Sequence, residues 1–137
     1  HLSKHPGQVS LPGGHSEEDD GSPEETALRE TEEETGLHRS HIEIVGKLDD
    51  YGTRTGFRVT PIVAVVTPPF QLEPDPHEVA DVFEVPLEFL LDPSNHHVHT
   101  REFEGRDREF FAMPYNDHFI WGATAGMLIN LYEALRS

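Results

Sequence analysis

The chain has 137 residues, the length of one domain, and its charge is strongly negative. Its 26 acidic and 10 basic residues give a formal net charge of -16 at pH 7. We therefore expect neither nucleic acid nor a membrane as a partner, since both would repel it. The sequence has no cysteine, which excludes disulfides and thiolate metal sites and is compatible with the expected cytoplasmic location.

The sequence predicts one domain over residues 1–137, and we expect that natural residues upstream of His1 are missing from it. The chain does not begin with Met, and its first five residues carry no start signal of their own. No internal repeat or low-complexity linker suggests a domain boundary. No apolar run has the length that a membrane-spanning helix needs.

The predicted elements are strands interspersed with two long helices. The N-terminal half is predicted as a loop over 1–21 with a possible strand at 8–11, a helix at 23–35, and strands at 42–45 and 57–66. It is followed by a strand at 79–85, a short helix at 86–91, a hairpin of 97–103 and 108–113 around 104–107, and a helix at 120–135. Pro61 inside the second strand predicts an edge or a bulge. This mixture predicts an α/β or α+β sandwich.

The first long helix has clear end signals. Ser22 is a good N-cap, Pro23 suits the first helical position, and Glu25 is placed to complete a capping box with Ser22. Gly36 supplies the C-terminal stop. The sequence therefore predicts a helix that begins after Ser22 and ends before Gly36.

One face of this helix is acidic. At about 100° per residue, Glu30, Glu33 and Glu34 lie on neighbouring points, where their charges repel one another. A divalent cation would remove that penalty, and Mg²⁺ and Mn²⁺ favour oxygen ligands. Arg29 can pair with Glu33 at i+4. The alternative is a solvated acidic face with no ligand.

The rest of the helix divides into a packing arc and a solvated surface. The packing arc, which can lie against a sheet, consists of Ala27, Leu28, Thr31 and Thr35. The glutamates expected to be merely solvated are Glu24, Glu25 and Glu32.

The loop and the helix together resemble the Nudix box. Gly14 fits its first glycine, and residues 29–37, Arg-Glu-Thr-Glu-Glu-Glu-Thr-Gly-Leu, fit its second half. Fifteen steps separate Gly14 from Arg29, one more than the pattern has. The box's first glutamate then corresponds to Asp20 or Gly21, and we favour Asp20 with one residue inserted before the helix.

A narrower resemblance connects the chain with the coenzyme A pyrophosphatase branch of this family. Gly7 and residues 12–14, Pro-Gly-Gly, match that branch's additional signature, whereas Ser3 and Leu11 replace its Arg and Phe. Segments 56–61, 78–87 and 120–126 are also similar to that branch.

The resemblance implies a fold, a reaction and a set of site residues. The fold is the Nudix αβα sandwich with a mixed central sheet, and the reaction is hydrolysis of a pyrophosphate bond with Mg²⁺ or Mn²⁺. With coenzyme A or its derivatives, the products would be 3′-phosphoadenosine 5′-phosphate and 4′-phosphopantetheine. The implied catalytic residues are Arg29, Glu30, Glu33 and Glu34, the metal ligands are Glu30, Glu33, Glu34 and Glu78, and the substrate-binding residues are Gln8, Gly13 and Gly14.

Several alternatives stay open at this stage. Glu30 or Glu34 could be the general base, and Glu78 could be an exposed loop glutamate. The substrate could be a nucleotide sugar, a dinucleotide or a nucleoside triphosphate. The domain could also bind a nucleotide without catalysis, or be an inactive fragment, and it could form a homodimer through an open sheet edge.

Arginines and aromatic residues outside the helix have two interpretations each. The arginines, which suit phosphate binding but could also form surface ion pairs, are Arg54, Arg58, Arg101, Arg106 and Arg108. Residues 119–121, Phe-Ile-Trp, are expected to form core at the start of the last helix rather than a base-stacking platform.

Overall fold

The computed structural model describes residues 9–136, where helices and antiparallel sheets confirm the predicted α+β class. The strands are β1 Ile42–Lys47, β2 Tyr51–Gly52, β3 Arg58–Val59, β4 Ile62–Val66, β5 His97–Phe103, β6 Arg106–Tyr115 and β7 His118–Trp121. The helices are α1 Pro23–Thr35, α2 Leu87–Leu90 and α3 Gly122–Arg136. Within residues 9–136, every helix is too short or too polar to span a bilayer.

The described residues form two compact units. The first contains residues 11–50 and 58–83, and the second contains residues 9–10, 51–57 and 84–136. The prediction of a single domain over 1–137 remains a prediction. Of the possible strand at 8–11, residues 9–11 adopt no strand, and Gln8 lies outside the described residues.

The ends of α1 follow the local signals, with one difference. The Ser22 hydroxyl accepts a hydrogen bond from the Glu25 N–H at 3.1 Å, and Gly36 ends the helix at φ +75°. The second half of the expected capping box is wrong, because the Glu25 carboxylate binds Arg39 at 2.9 Å instead. Of the predicted packing arc, Thr35 is buried at 7% exposure.

The first unit's sheet pairs β1 with β4 in antiparallel register, with an irregularity between Ile44 and Gly46. Pro61 interrupts the predicted strand 57–66 and leaves β3 and β4 on its two sides. The strand predicted at 79–85 is wrong, because this segment has no regular structure. The carbonyl of Asp75 accepts the N–H groups of both Glu78 and Val79, so a turn uses the donors that would begin a strand.

The second unit contains the three-stranded antiparallel sheet β5-β6-β7. The predicted hairpin is confirmed, with a tighter turn than expected. Glu104 and Gly105 both have positive φ, 54° and 77°, as two-residue hairpin turns require. Arg106 and Asp107, predicted to lie in the turn, therefore pair within β6.

Strand β7 was missed, because its residues were assigned to the start of the last helix. His118–Trp121 pairs with β6, and Gly122 at φ +67° separates the strand from α3. Side chains alternate along β7, so Ile120 is 2% exposed whereas Phe119 is 44% exposed. The expectation that Phe119 belongs to the core is therefore wrong.

The core of the second unit lies between the sheet and α3, which contacts β6 and β7. Its fully buried apolar residues include Met113, Ile120 and Ala125. The Thr124 hydroxyl donates to the Val9 carbonyl at 3.2 Å and so fastens residue 9 to α3.

We expect Met113→Ala to lower the free energy of unfolding by about 2–5 kcal/mol, because truncation of a fully buried side chain leaves a cavity. Chemical denaturation measures this change. Val98→Ala is the matched control on the same sheet, because Val98 is 56% exposed and its truncation should cost about 0.5 kcal/mol or less. Equal losses in the two variants would contradict the placement of the core.

Candidate functional site

Arg29 joins the loop before α1 to the helix. Its Nε and Nη2 donate to the two oxygens of Asp20 at 2.8 and 3.0 Å, and Nη2 also donates to the His15 carbonyl at 3.1 Å. The Asp20 carboxylate, 7% exposed, also accepts the Glu17 N–H at 2.8 Å and the Thr26 hydroxyl at 2.9 Å. The choice of Asp20 as the counterpart of the box's first glutamate is consistent with this contact.

This ion pair fixes the charge of both partners. The hydrogen bonds from Arg29 hold the pKa of Asp20 well below its ordinary value, and the Glu17 N–H lowers it further. Asp20 in turn raises the pKa of the guanidinium above its ordinary value. Asp20 is therefore a permanently ionised partner for Arg29 at neutral pH.

The same guanidinium binds two of the four predicted metal ligands, Glu30 and Glu33. Nη1 of Arg29 donates to Glu30 at 3.0 Å and to Glu33 at 3.2 Å, so the predicted i+4 pairing is confirmed. Glu30 is mostly covered, with 17% of its side chain exposed, whereas Glu33 is 59% exposed. Arg29 thus keeps the two like charges together on one side of α1.

The glycine loop, residues 13–14, also contacts carboxylates of α1. The Gly13 N–H donates to Glu34 at 2.9 Å. A Cβ placed on Gly14 would lie 2.6 Å from the Glu30 carboxylate, so a larger residue here would displace that side chain. Both glycines, predicted to bind substrate, contact the acidic face directly, and their role towards substrate remains a prediction. Gln8, the third predicted substrate-binding residue, lies outside the described residues.

Glu34 is a partly buried carboxylate with other carboxylates near it. Partial burial raises its pKa, and repulsion from Glu30, Glu78 and Glu33 raises it further, while the Gly13 N–H opposes the shift. Glu34 therefore interacts electrostatically with each of the other three glutamates.

Glu78 reaches this set because its segment is fastened to the end of α1. The N–H of Asp75 donates to the Glu34 carbonyl at 3.0 Å, and the N–H of Glu73 donates to the Thr35 carbonyl at 2.8 Å. Glu78 itself is exposed, in the turn that follows Asp75. The structure thus supports both its exposure and its electrostatic proximity to Glu34.

The carboxylates of Glu30, Glu33, Glu34 and Glu78 have the chemistry that suits a hard divalent cation. Carboxylates are the ligand type that Mg²⁺ and Mn²⁺ favour, and their repulsion is the kind that a cation relieves. Within residues 9–136 no three acidic or histidine side chains already converge into a ligand group. Glu30 and Glu33 are instead turned towards Arg29, so metal binding would require these side chains to rearrange.

A second arginine, Arg39, which sequence reasoning missed, binds other glutamates of α1. Arg39 donates to Glu25 at 2.9 Å and to Glu32 at 3.1 Å, and its hydrogen bonds lower the pKa of Glu32. The separations of 14 and 7 residues exceed any i, i+4 pattern, so no local signal revealed them. Two glutamates that were expected to be merely solvated therefore form ion pairs.

Comparison with known proteins identifies the class to which this site belongs. The model of the NUDIX domain matches residues 1–111, which include the glycine loop and α1. The chain therefore belongs to the Nudix hydrolase family, whose reaction is pyrophosphate hydrolysis in nucleotide-derived substrates and which generally uses divalent metal ions.

Two similar proteins carry the name "Uncharacterized Nudix hydrolase NudL". The one from Enterobacter sp. (strain 638) is 39% identical over 131 residues, which are 96% of this chain and 68% of that protein. The one from Yersinia pestis (strain Pestoides F) is 40% identical over 133 residues, 97% of this chain and 67% of that protein.

We expect Asp20→Asn to destabilise the protein at neutral pH, because Arg29 loses its doubly bonded counter-charge. The depressed pKa means that the stabilisation is complete above the ordinary aspartate pKa of 3.8 and is lost as pH falls below it. The difference between wild type and variant should therefore shrink in acid. Denaturation at several pH values measures it, with Glu17→Gln as a control at a 3.8 Å, exposed contact. A difference that does not change with pH would contradict the ion pair's role.

Proposed function

We propose that this protein hydrolyses the pyrophosphate bond of coenzyme A or its derivatives with Mg²⁺ or Mn²⁺, giving 3′-phosphoadenosine 5′-phosphate and 4′-phosphopantetheine. The observation that supports this most is the contact of the glycine loop with α1, where Gly13 bonds to Glu34 and Gly14 lies against Glu30. The loop sequence carries the resemblance to the coenzyme A branch, and the carboxylates carry the resemblance to the family's reaction. Their direct contact supports assigning both to one site.

In this proposal Glu30, Glu33 and Glu34 hold the cation, and Glu78 is a further ligand. When bound, the cation supplies positive charge that offsets the negative charge of the phosphate groups. The electrostatic interaction of Glu34 with each of the other three glutamates supports this assignment.

The chain's own carboxylates also handle the proton of the reaction. Water attacks one phosphorus, the bond from that phosphorus to the bridging oxygen breaks, and the second phosphate leaves with the bridging oxygen. A carboxylate, Glu30 or Glu34, accepts the proton of the attacking water. Arg29, which was expected among the catalytic residues, acts here as a positioning residue, because it holds Glu30 and Glu33.

We expect Glu33→Gln to reduce magnesium-dependent hydrolysis of coenzyme A by at least about 100-fold, since it removes a metal-binding charge. The fold should persist, because Glu33 is 59% exposed. Chromatographic identification of the two products, with and without added metal, measures the reaction. Glu24→Gln, on the first turn of the same helix, should retain activity within about twofold.

Two results would contradict parts of this proposal. Full activity of Glu33→Gln would contradict the assignment of the metal site to α1. Hydrolysis of a nucleotide sugar, a dinucleotide or a nucleoside triphosphate in preference to coenzyme A would remove the substrate assignment and leave the reaction class intact.

The adjacent glycines provide a matched pair of variants. A methyl group on Gly14 would meet the Glu30 carboxylate at 2.6 Å, whereas one on Gly13 would meet nothing within 4 Å. We expect Gly14→Ala to displace Glu30 and lower hydrolysis by about tenfold or more, with little loss of stability because that carboxylate ends a flexible side chain. Gly13→Ala keeps its N–H for Glu34 and should therefore lower hydrolysis less than Gly14→Ala does. Equal activities of the two variants would contradict a role for Gly14 in placing Glu30.

A further inference from the structure

The β5–β6 hairpin sorts its charged side chains by face. Side chains alternate along each strand, and the antiparallel register places Arg101 opposite Arg108. One face therefore carries Arg101, Arg106 and Arg108. The other face carries Glu102, Asp107 and Glu109. In a chain with 10 basic and 26 acidic residues, this sorting creates a positive patch that its own acidic neighbours do not neutralise.

Arg101 and Arg108 are in an unfavourable position relative to each other. Like charges that face each other directly across two strands repel. Within residues 9–136 neither arginine forms an ion pair with a carboxylate. The Nε of Arg108 is buried and has no hydrogen-bond partner among these residues. An anion that accepts hydrogen bonds from both guanidinium groups would satisfy this donor and remove the repulsion.

Aromatic rings lie beside this arginine pair on the same face. His99 precedes Arg101 by two residues, Phe110 follows Arg108 by two, and their rings meet edge to face at 5.6 Å. The rings of Phe119 and Trp121 on β7 are nearly parallel, with centroids 6.4 Å apart. Phe119 is also stacked 5.9 Å from His99. Because β6 separates β5 from β7, the rings of the two outer strands meet over the central strand.

We propose that this face binds a nucleoside phosphate, with its phosphate on Arg101 and Arg108 and its base against the ring of Phe119. A planar base stacks on aromatic rings, and guanidinium groups bind phosphate in a bidentate manner. Phe119 is 44% exposed, so part of its surface is open to a ligand beside its contacts with His99 and Trp121. Inorganic phosphate alone would leave the rings unused, and a nucleic acid would be repelled by a net charge of -16.

The identity of the nucleotide rests on the proposed function, which yields 3′-phosphoadenosine 5′-phosphate. The presence of a site rests on the hairpin alone, namely on the opposed arginines, the unsatisfied Nε of Arg108 and the exposed ring of Phe119.

Trp121 allows a direct binding measurement, because it is the only tryptophan in the chain and lies within this ring cluster. Titration with 3′-phosphoadenosine 5′-phosphate, in the presence of a chelator, should change its fluorescence saturably. Adenosine and inorganic phosphate should each bind at least about tenfold more weakly, since each lacks one half of the recognised group. Equal affinity for the bisphosphate and for inorganic phosphate would overturn the base-binding part.

The arginine variants separate binding from folding. Arg101→Gln and Arg108→Gln should each raise the Kd by about tenfold or more, whereas Arg136→Gln on α3 should leave it within about twofold. Arg101→Gln should also unfold at or above the wild-type temperature, because it removes repulsion between like charges. If Arg101 had only a structural role, Arg101→Gln would not weaken binding while leaving the unfolding temperature undiminished. Wild-type affinity in both hairpin variants would overturn the inference.

Coenzyme A hydrolysis, measured separately, distinguishes this inference from the proposed function. Hydrolysis without any nucleotide response at Trp121 would overturn the nucleotide site alone. A saturable response that Arg101→Gln and Arg108→Gln weaken, without hydrolysis of coenzyme A, would support the site and overturn the proposed substrate.

Discussion

The carboxylate site of α1 depends on one guanidinium. Arginine has five N–H donors, and those of Arg29 meet two oxygens of Asp20, the His15 carbonyl, Glu30 and Glu33. A lysine has three donors and no planar fork, so it could not replace this set. The loop that contains the glycines and the helix that contains the glutamates are thus held by the same charged group. This explains how an acidic face can persist in the first unit with its carboxylates close together.

The two arginines divide the glutamates of α1 between them. Arg29 binds Glu30 and Glu33, and Arg39 binds Glu25 and Glu32. Glu34 is different: within residues 9–136 it forms no ion pair, it receives one backbone N–H, and its pKa is raised. Because neither arginine pairs with Glu34, excess negative charge remains around it. Such concentration, rather than the number of glutamates, distinguishes a site from a solvated helix.

What the sequence could predict was local. Ser22 and Gly36 define the ends of α1 through bonds within a few residues, and the spacing of Arg29 and Glu33 is one helical turn. Arg39 could not be predicted, because its partners are distant along the chain. Strand β7 was also missed, because four residues are too few to show an alternating pattern before a helix of similar apolar character. The strand expected at 79–85 has the converse explanation. A weak alternating pattern was present, but the N–H of Val79, where the strand would begin, donates to the Asp75 carbonyl in a turn.

The separation of charges between the two faces of the β5–β6 hairpin limits which insertions this segment can accept. The turn of Glu104 and Gly105 fixes which residues face each other, and the buried Met113 fixes the far end of β6. If one residue were inserted between Asp107 and Arg108, Arg106 and Asp107 would each move to the face that the other occupies now, unless the strand formed a bulge. Insertion of two residues would restore the alternation. This hairpin should therefore tolerate insertions of two residues better than insertions of one. In a surface loop, an even or odd number of inserted residues makes no such difference.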